Sequence, residues 1–393
     1  MIELLFLLLP VAAASGWWLA RRDAWARRDG ARAAHPDFLR GLNYLLEEQP
    51  DKAIDLFLEF ADVDSDTLET HLALGSLFRR RGEVDRAIRV HQNLVARKNL
   101  PPERRGFALF ELGQDYLRAG LLDRAEDLFL ELAESGLYRQ RALESLLDIY
   151  QQERDWARCL EVVERLQPLN GQSMAVAVAQ YHCELAEESR RKGDPAAAQS
   201  HLRLAQTADP ACVRAAMLEG FAALESADAE RAVELFQRVA ERGAAYIPEV
   251  LPALIDAMRG LGRQHEVLAL LEGLAARRAC PPLIRSLADT VAETRGEVAA
   301  LDLLTDHLAR YADLSALERL LQLQSQAAGS DEADRQRARV ASGVIRHLLA
   351  RQPVYQCEQC GFQARSLHWQ CPSCKSWGTV APVHPEPILG EDV

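Results

Sequence analysis

Four cysteines near the end of the chain have the residue type and spacing to do inorganic chemistry. Cys357 and Cys360 are separated by two residues, ten residues follow, and Cys371 and Cys374 repeat the two-residue gap. A two-residue gap lets one tight turn aim both sulfurs at one ion, while backbone amides stabilise the thiolates. Gly361 suits the positive φ that such a knuckle requires. Two knuckles complete a tetrahedral four-thiolate site, for which zinc is the expected ion and iron the alternative with the same ligand set. With every position filled by protein, no water can bind as a nucleophile, so the site reads as structural. Phe362, Trp369 and Trp377 flank the knuckles and are expected to form the small core that so short a module otherwise lacks. His368 and His384 are spare donors that four cysteines make unnecessary.

The other four cysteines (Cys159, Cys183, Cys212, Cys280) are widely spaced within helical patterns, unlike a disulfide framework, and read as core packing in a reducing compartment. No P-loop, H-E-x-x-H, G-x-S-x-G or G-x-G-x-x-G sequence is present, so the chain is not read as an enzyme. His91 reads as packing rather than catalysis. A net charge of −12 opposes a nucleic-acid function, and around the ribbon only Arg351, Arg365 and Lys375 are basic.

The elements that must position the metal site are helical. Ala, Leu, Arg and Glu dominate, and alternating β-branched runs are scarce. Gly41, Tyr44, Ala53 and Phe57 recur 34 residues later as Gly75, Phe78, Ala87 and His91. Gly113, Tyr116, Ala125 and Phe129 keep the internal spacing, and Tyr150, Cys159 and Leu166 follow Tyr116, Ala125 and Leu132 by 34 again. The small residue lets two helices of a unit approach, and the aromatic beside it fills the remaining space. Period and residue classes resemble the tetratricopeptide repeat, a helix-turn-helix unit that stacks into a solenoid with a protein-binding groove. Six clear units and two degenerate ones, near 248–278 and 281–310, are expected. Further helix is expected over 315–350, broken near Gly329-Ser330, with Val340 to Leu349 capping the array.

At the other end, Ile2 to Ala20 is apolar apart from Glu3, and 19 helical residues span about 28 Å, close to a bilayer core. Trp17 and Trp18 suit the interface, and Arg21, Arg22, Arg27, Arg28 and Arg32 follow the apolar run rather than preceding it. That order opposes a cleaved signal peptide and places the rest of the chain in the cytoplasm. The expected architecture is therefore all-α: a transmembrane anchor (1–20), a basic juxtamembrane segment (21–35), a repeat array (36–310), capping helices (311–352), a rubredoxin-like ribbon (353–381) and a disordered tail (382–393). The short link from Ala350 to Pro353 predicts that the ribbon docks on the last repeats or on the groove.

This order of parts, with Cys357, Cys360, Cys371 and Cys374 in place, resembles the lipopolysaccharide assembly protein B family of Gram-negative bacteria over essentially the whole chain. Lys375 departs from classical rubredoxin, where glycine is usual, and the ten-residue spacer is far shorter than rubredoxin's. The resemblance implies a non-enzymatic inner-membrane adaptor that promotes degradation of the deacetylase LpxC by the membrane protease FtsH, alongside other lipopolysaccharide assembly proteins. The residues alone reach only a membrane-tethered, metal-stabilised protein-binding scaffold. A generic inner-membrane assembly scaffold and a redox-active iron protein stay open as alternatives, as does self-association.

Overall fold

The structure is a computed structural model that describes residues 65–383, apart from 98–99, 172, 278 and 327–330, together with a few positions between 43 and 56. The expected anchor, the basic segment and the tail beyond Val383 lie outside the described residues. Among those described, no helix is long and apolar enough to cross a membrane.

Helices follow one another in antiparallel pairs: α1 (Ser65–Arg80) with α2 (Val84–Ala96), α3 (Pro102–Arg118) with α4 (Leu122–Ser135), then α5 (Arg139–Glu153). After these come α6 (Trp156–Asn170), α7 (Ala175–Arg191), α8 (Pro195–Ala208), α9 (Val213–Glu225), α10 (Ala229–Arg242), a 3-10 turn (Ala244–Tyr246), α11 (Ile247–Gly260) and α12 (Gln264–Arg277). The series ends with α13 (Pro281–Arg295), α14 (Glu297–Leu308), α15 (Leu314–Gln326) and α16 (Glu332–Leu349). The chain divides into two compact units, one ending at Arg154 and one running from Asp155 to Val393.

Local chemistry starts these helices. Asp155, Asp194 and Asp228 cap α6, α8 and α10, each side chain accepting a hydrogen bond from the backbone N–H three residues on, at 3.1, 2.9 and 3.0 Å. Pro102, Pro195 and Pro281 occupy first turns, where the missing N–H costs nothing.

The repeat is visible in what is buried. Ala87, Ala125, Cys159, Ala198, Ala232 and Ala300 are the small residues of the second helices α2, α4, α6, α8, α10 and α14, and all are buried. Four residues after each come His91, Phe129, Val163, Leu202, Phe236 and Leu304, again buried. Within the first unit a Cβ on Gly113 would lie 2.7 Å from the Phe129 ring, and Gly75 is crowded in the same way by His91. In the second unit Gly220 meets Phe236 identically. The small residue is therefore where two helices touch, as its spacing predicts. His91 is fully buried and its Nδ1 faces Asp115, which Arg79 also holds at 2.7 Å while its other nitrogen reaches Glu111.

The C-terminal helices run Leu314–Gln326 and Glu332–Leu349, in line with helix over 315–350 broken near 329–330, but the last one starts earlier than expected. α16 is continuous from Glu332, well before Val340. On its packed side Ala338 and Ser342 are buried and Ile345 and Leu349 half-buried, while Val340, Val344 and Leu348 are 58%, 57% and 48% exposed. The helix is held by Glu318 of α15, itself 2% exposed. Its carboxylate accepts from Ser342 at 3.1 Å, from Arg346 at 3.0 Å and from Arg285 of α13 at 2.9 Å. An ion-pair latch thus accompanies the half-buried Ile345 and Leu349 on the packed face of α16.

Candidate metal centre

The ribbon is a three-stranded antiparallel sheet. β1 (Tyr355–Cys357) lies between β2 (Gln363–Ala364) and β3 (Val380–Pro382). Register is set by Tyr355 opposite Ala364 on one side and Cys357 opposite Val380 on the other. β1 delivers Cys357 directly into the first knuckle.

The two knuckles are built alike. In the first, the Gly361 N–H donates to the Cys357 carbonyl at 2.9 Å and the Cys357 N–H donates to the Phe362 carbonyl at 2.8 Å. In the second, Lys375 donates to the Cys371 carbonyl and Cys371 to the Ser376 carbonyl, both at 2.9 Å. The fourth residue after the first cysteine has positive φ in each, +75° at Gly361 and +62° at Lys375. The sequence departure at Lys375 is therefore a side chain forced into a conformation that costs about 1–2 kcal/mol outside glycine.

These turns bring all four Sγ atoms within 4.8 Å of one another, the only such group of three or more potential ligands among the described residues. Cys357 and Cys374 sulfurs are 3.7 Å apart, and those of Cys360 and Cys371 3.6 Å. A tetrahedron with zinc–sulfur bonds of about 2.3 Å has edges of about 3.8 Å, so the donor set fits a tetrahedral thiophilic ion. The Thr379 hydroxyl, 3.3 Å from the Cys357 sulfur, leads the interactions that hold that thiol down to about 6. Ser376, through its side chain and then its backbone, lowers Cys374. Burial pushes Cys371 up to about 11, so a metal must displace its proton. His368 stacks edge-on against Phe362 instead of joining the sulfurs. His384 lies outside the described residues.

The ribbon's own core is Tyr355, Cys357, Cys371 and Val380, with Phe362, Ala364 and Leu367 against it. Phe362 thus does what its position suggests. Trp369 and Trp377 do not: both turn outward onto the helices of the second unit. Trp377 lies edge-on to Trp156 of α6 and Tyr181 of α7, each with centroids 5.8 Å away. Trp369 stacks on Tyr246 at 5.1 Å and lies 5.4 Å from the guanidinium of Arg214 in α9. That guanidinium is buried and held by Glu184 at 2.8 Å, Glu187 at 3.1 Å and the side-chain Oε1 of Gln180 at 3.1 Å. The Tyr355 hydroxyl donates to Glu249 of α11, and the Tyr246 hydroxyl reaches the Gly378 carbonyl at 3.5 Å. The ribbon therefore docks on α6, α7, α9 and α11, and these contacts pass over the last repeats that precede it. A four-cysteine core needs no tryptophan, which frees both indoles to bury themselves against the helices.

Arg214, Tyr246, Trp156, Tyr181 and Glu249 form this seat, and no spacing in the sequence marks them. The single hint is two tryptophans in a module whose metal already supplies its core.

Over residues 355–382 the chain matches the rubredoxin metal binding domain. It is 37% identical to lipopolysaccharide assembly protein B of Escherichia coli (strain K12) over 388 residues, 98% of each chain. The chain belongs to the lipopolysaccharide assembly protein B family. The protein of that name from Haemophilus influenzae is 33% identical over 399 residues, again 98% of each. Among solved structures the chain is similar to MamA, at 18% identity over 47% of this chain and 95% of that one, with a TM-score of 0.32. A tetratricopeptide repeat protein from Parabacteroides merdae is 12% identical and covers 70% of this chain and 98% of its own, with a TM-score of 0.32. The chain is thus a family member with a helical repeat array and a metal-binding ribbon seated on it.

Proposed function

We propose that this chain is a non-enzymatic adaptor in lipopolysaccharide assembly, anchored in the bacterial inner membrane through residues 1–20 with its bulk in the cytoplasm. It holds the deacetylase LpxC beside the membrane protease FtsH and so promotes LpxC degradation, in company with other lipopolysaccharide assembly proteins. The observation that carries this reading is full-length similarity to lipopolysaccharide assembly protein B at 37% identity. Supporting it, the repeat places its small and aromatic residues in helix–helix contacts, where they build a scaffold. Tethering confines that scaffold to the membrane surface and raises the local concentration at which it meets a membrane-bound partner.

Zinc is the proposed ion. Its role is to hold the two knuckles together, and with them the ribbon face that carries Trp369 and Trp377. Colourless purified protein with one zinc per chain supports this assignment; red, reducible protein supports iron and an electron-transfer role instead.

The adaptor reading is tested by affinity recovery from membranes, using the native chain and a Cys371→Ser variant. Recovery of FtsH and LpxC with the native chain, reduced in the variant, is expected. Absence of both from the native sample refutes the proposed partners. A chain lacking residues 1–20 should keep its helical content and lose delivery; full complementation at native expression refutes the tethering role.

A further inference from the structure

Two cysteines of the second unit are placed as no helical repeat requires. The sulfurs of Cys183, in the middle of α7, and Cys212, which caps α9, are 3.9 Å apart and both residues are buried. A disulfide needs about 2.05 Å between sulfurs, so small movements would join them. Cys212 precedes the helix, with φ −63° and ψ +96°, and its N–H donates to the Asp209 carbonyl at 3.0 Å in the turn that leads into α9.

The two thiols have unequal character. The hydrogen bond from Cys183 lowers the pKa of Cys212 against the opposing effect of burial, with the Ala215 amide in the first turn of α9 adding to the lowering, while the same contact and burial raise that of Cys183. One thiol is thus the better nucleophile and the other is a protonated partner beside it. Access exists on the Cys212 side. Cys212, Pro210, Ala211, Val213 and Leu235 border a cavity of about 240 Å³, large enough for a small oxidant. By contrast, burial pushes Cys159, in its small-residue slot, up to about 12.

We propose that Cys183 and Cys212 form a dithiol site that a peroxide oxidises to a disulfide, and that this oxidation loosens the docked ribbon. The Cys212 thiolate attacks one oxygen of hydrogen peroxide, the O–O bond breaks, and hydroxide leaves and is protonated to water. Cys212 is then a sulfenic acid. The Cys183 sulfur attacks the Cys212 sulfur, the S–O bond breaks, and the departing hydroxide takes the Cys183 proton as a second water. Two thiols lose two electrons, and one peroxide becomes two waters. Transient disulfides of this kind are the form in which cytoplasmic proteins use them. The link to the ribbon is short: Arg214, two residues beyond Cys212, lies beneath Trp369. Drawing the sulfurs together pulls on the start of α9 and shifts that guanidinium.

The test uses the full chain with its metal bound, treated with hydrogen peroxide, then alkylated in denaturant and mapped by peptide mass spectrometry. The expected result is a cross-linked Cys183–Cys212 peptide with loss of both alkylation sites. In Cys183→Ser, Cys212 should be trapped as a sulfenic acid by a 1,3-dione; in Cys212→Ser, Cys183 should stay reduced. Mapping reads these thiols separately from the ribbon cysteines. Complete alkylation of both thiols, at peroxide exposures that oxidise free glutathione, overturns the site. Deuterium uptake over 355–382 should rise on oxidation of the native chain and not of Cys183→Ser. Unchanged uptake in a sample carrying the disulfide overturns the coupling.

Discussion

Replacing Trp369 with alanine separates docking of the ribbon from assembly of its metal site. Trp369 belongs to neither the ligand set nor the ribbon core. What it loses as alanine is the stack on Tyr246 at 5.1 Å and the contact with the Arg214 guanidinium at 5.4 Å. An aromatic pair contributes about 0.5–1.5 kcal/mol beyond area burial, and a cation over an indole about 0.5–2 kcal/mol. With the ring only half-buried, the lower part of each range applies, and docking should weaken by about 1–2 kcal/mol. That corresponds to roughly a 5- to 30-fold shift in the docked-to-free ratio. The assay is hydrogen–deuterium exchange over 355–382 in the full chain, with metal content measured on the same sample. Faster exchange at the Trp369 face with metal retained is expected. Unchanged exchange would refute the idea that this contact holds the ribbon. Loss of metal would show that Trp369 supports the knuckle instead of the seat.

Lys375→Gly relieves a side chain at φ +62° and should stabilise the ribbon by about 1 kcal/mol, read as slower metal loss to a chelator. Gly361→Ala introduces the same strain at φ +75° and should speed that loss. Gly113→Ala places a Cβ 2.7 Å from the Phe129 ring and should cost about 1–3 kcal/mol, lowering the midpoint of thermal unfolding by circular dichroism. Burial alone would raise the Glu318 pKa, but Arg346 and Arg285 outweigh it and hold the carboxylate below its usual range. A depressed folded pKa stabilises the protein above the unfolded value of about 4.3, and that stability disappears as pH falls through the folded value. Glu318→Gln should therefore cost about 1–3 kcal/mol at neutral pH and little in acid, shown by urea unfolding at pH 7 and pH 3.

The four-sulfur cluster and the repeat were legible in the sequence because both depend on neighbours along the chain. A two-residue gap forces Cys357 and Cys360 into one turn whatever surrounds them, and Cys371 and Cys374 repeat the device. Likewise, 16 residues separate Gly75 from His91 and Gly113 from Phe129, so one hairpin geometry brings each pair into contact. Family membership was legible for the same reason, since it rests on the order of such local parts. The C-terminal latch was not: Glu318, Arg285 and Arg346 look like ordinary surface charges until three helices bury one carboxylate between them. Nor was the ribbon's seat. Trp369 meets Arg214 and Tyr246 from more than a hundred residues away, and Trp377 meets Trp156 from farther still. Stacking an aromatic ring leaves no periodic trace in a sequence, and a buried arginine has the same letter as an exposed one. The chain's spacing determined that it would bind a metal and build a helical array. The short tether predicted that the metal ribbon would dock, and only the packing of two outward-facing indoles against α6, α7 and α9 decided where on that array it sits.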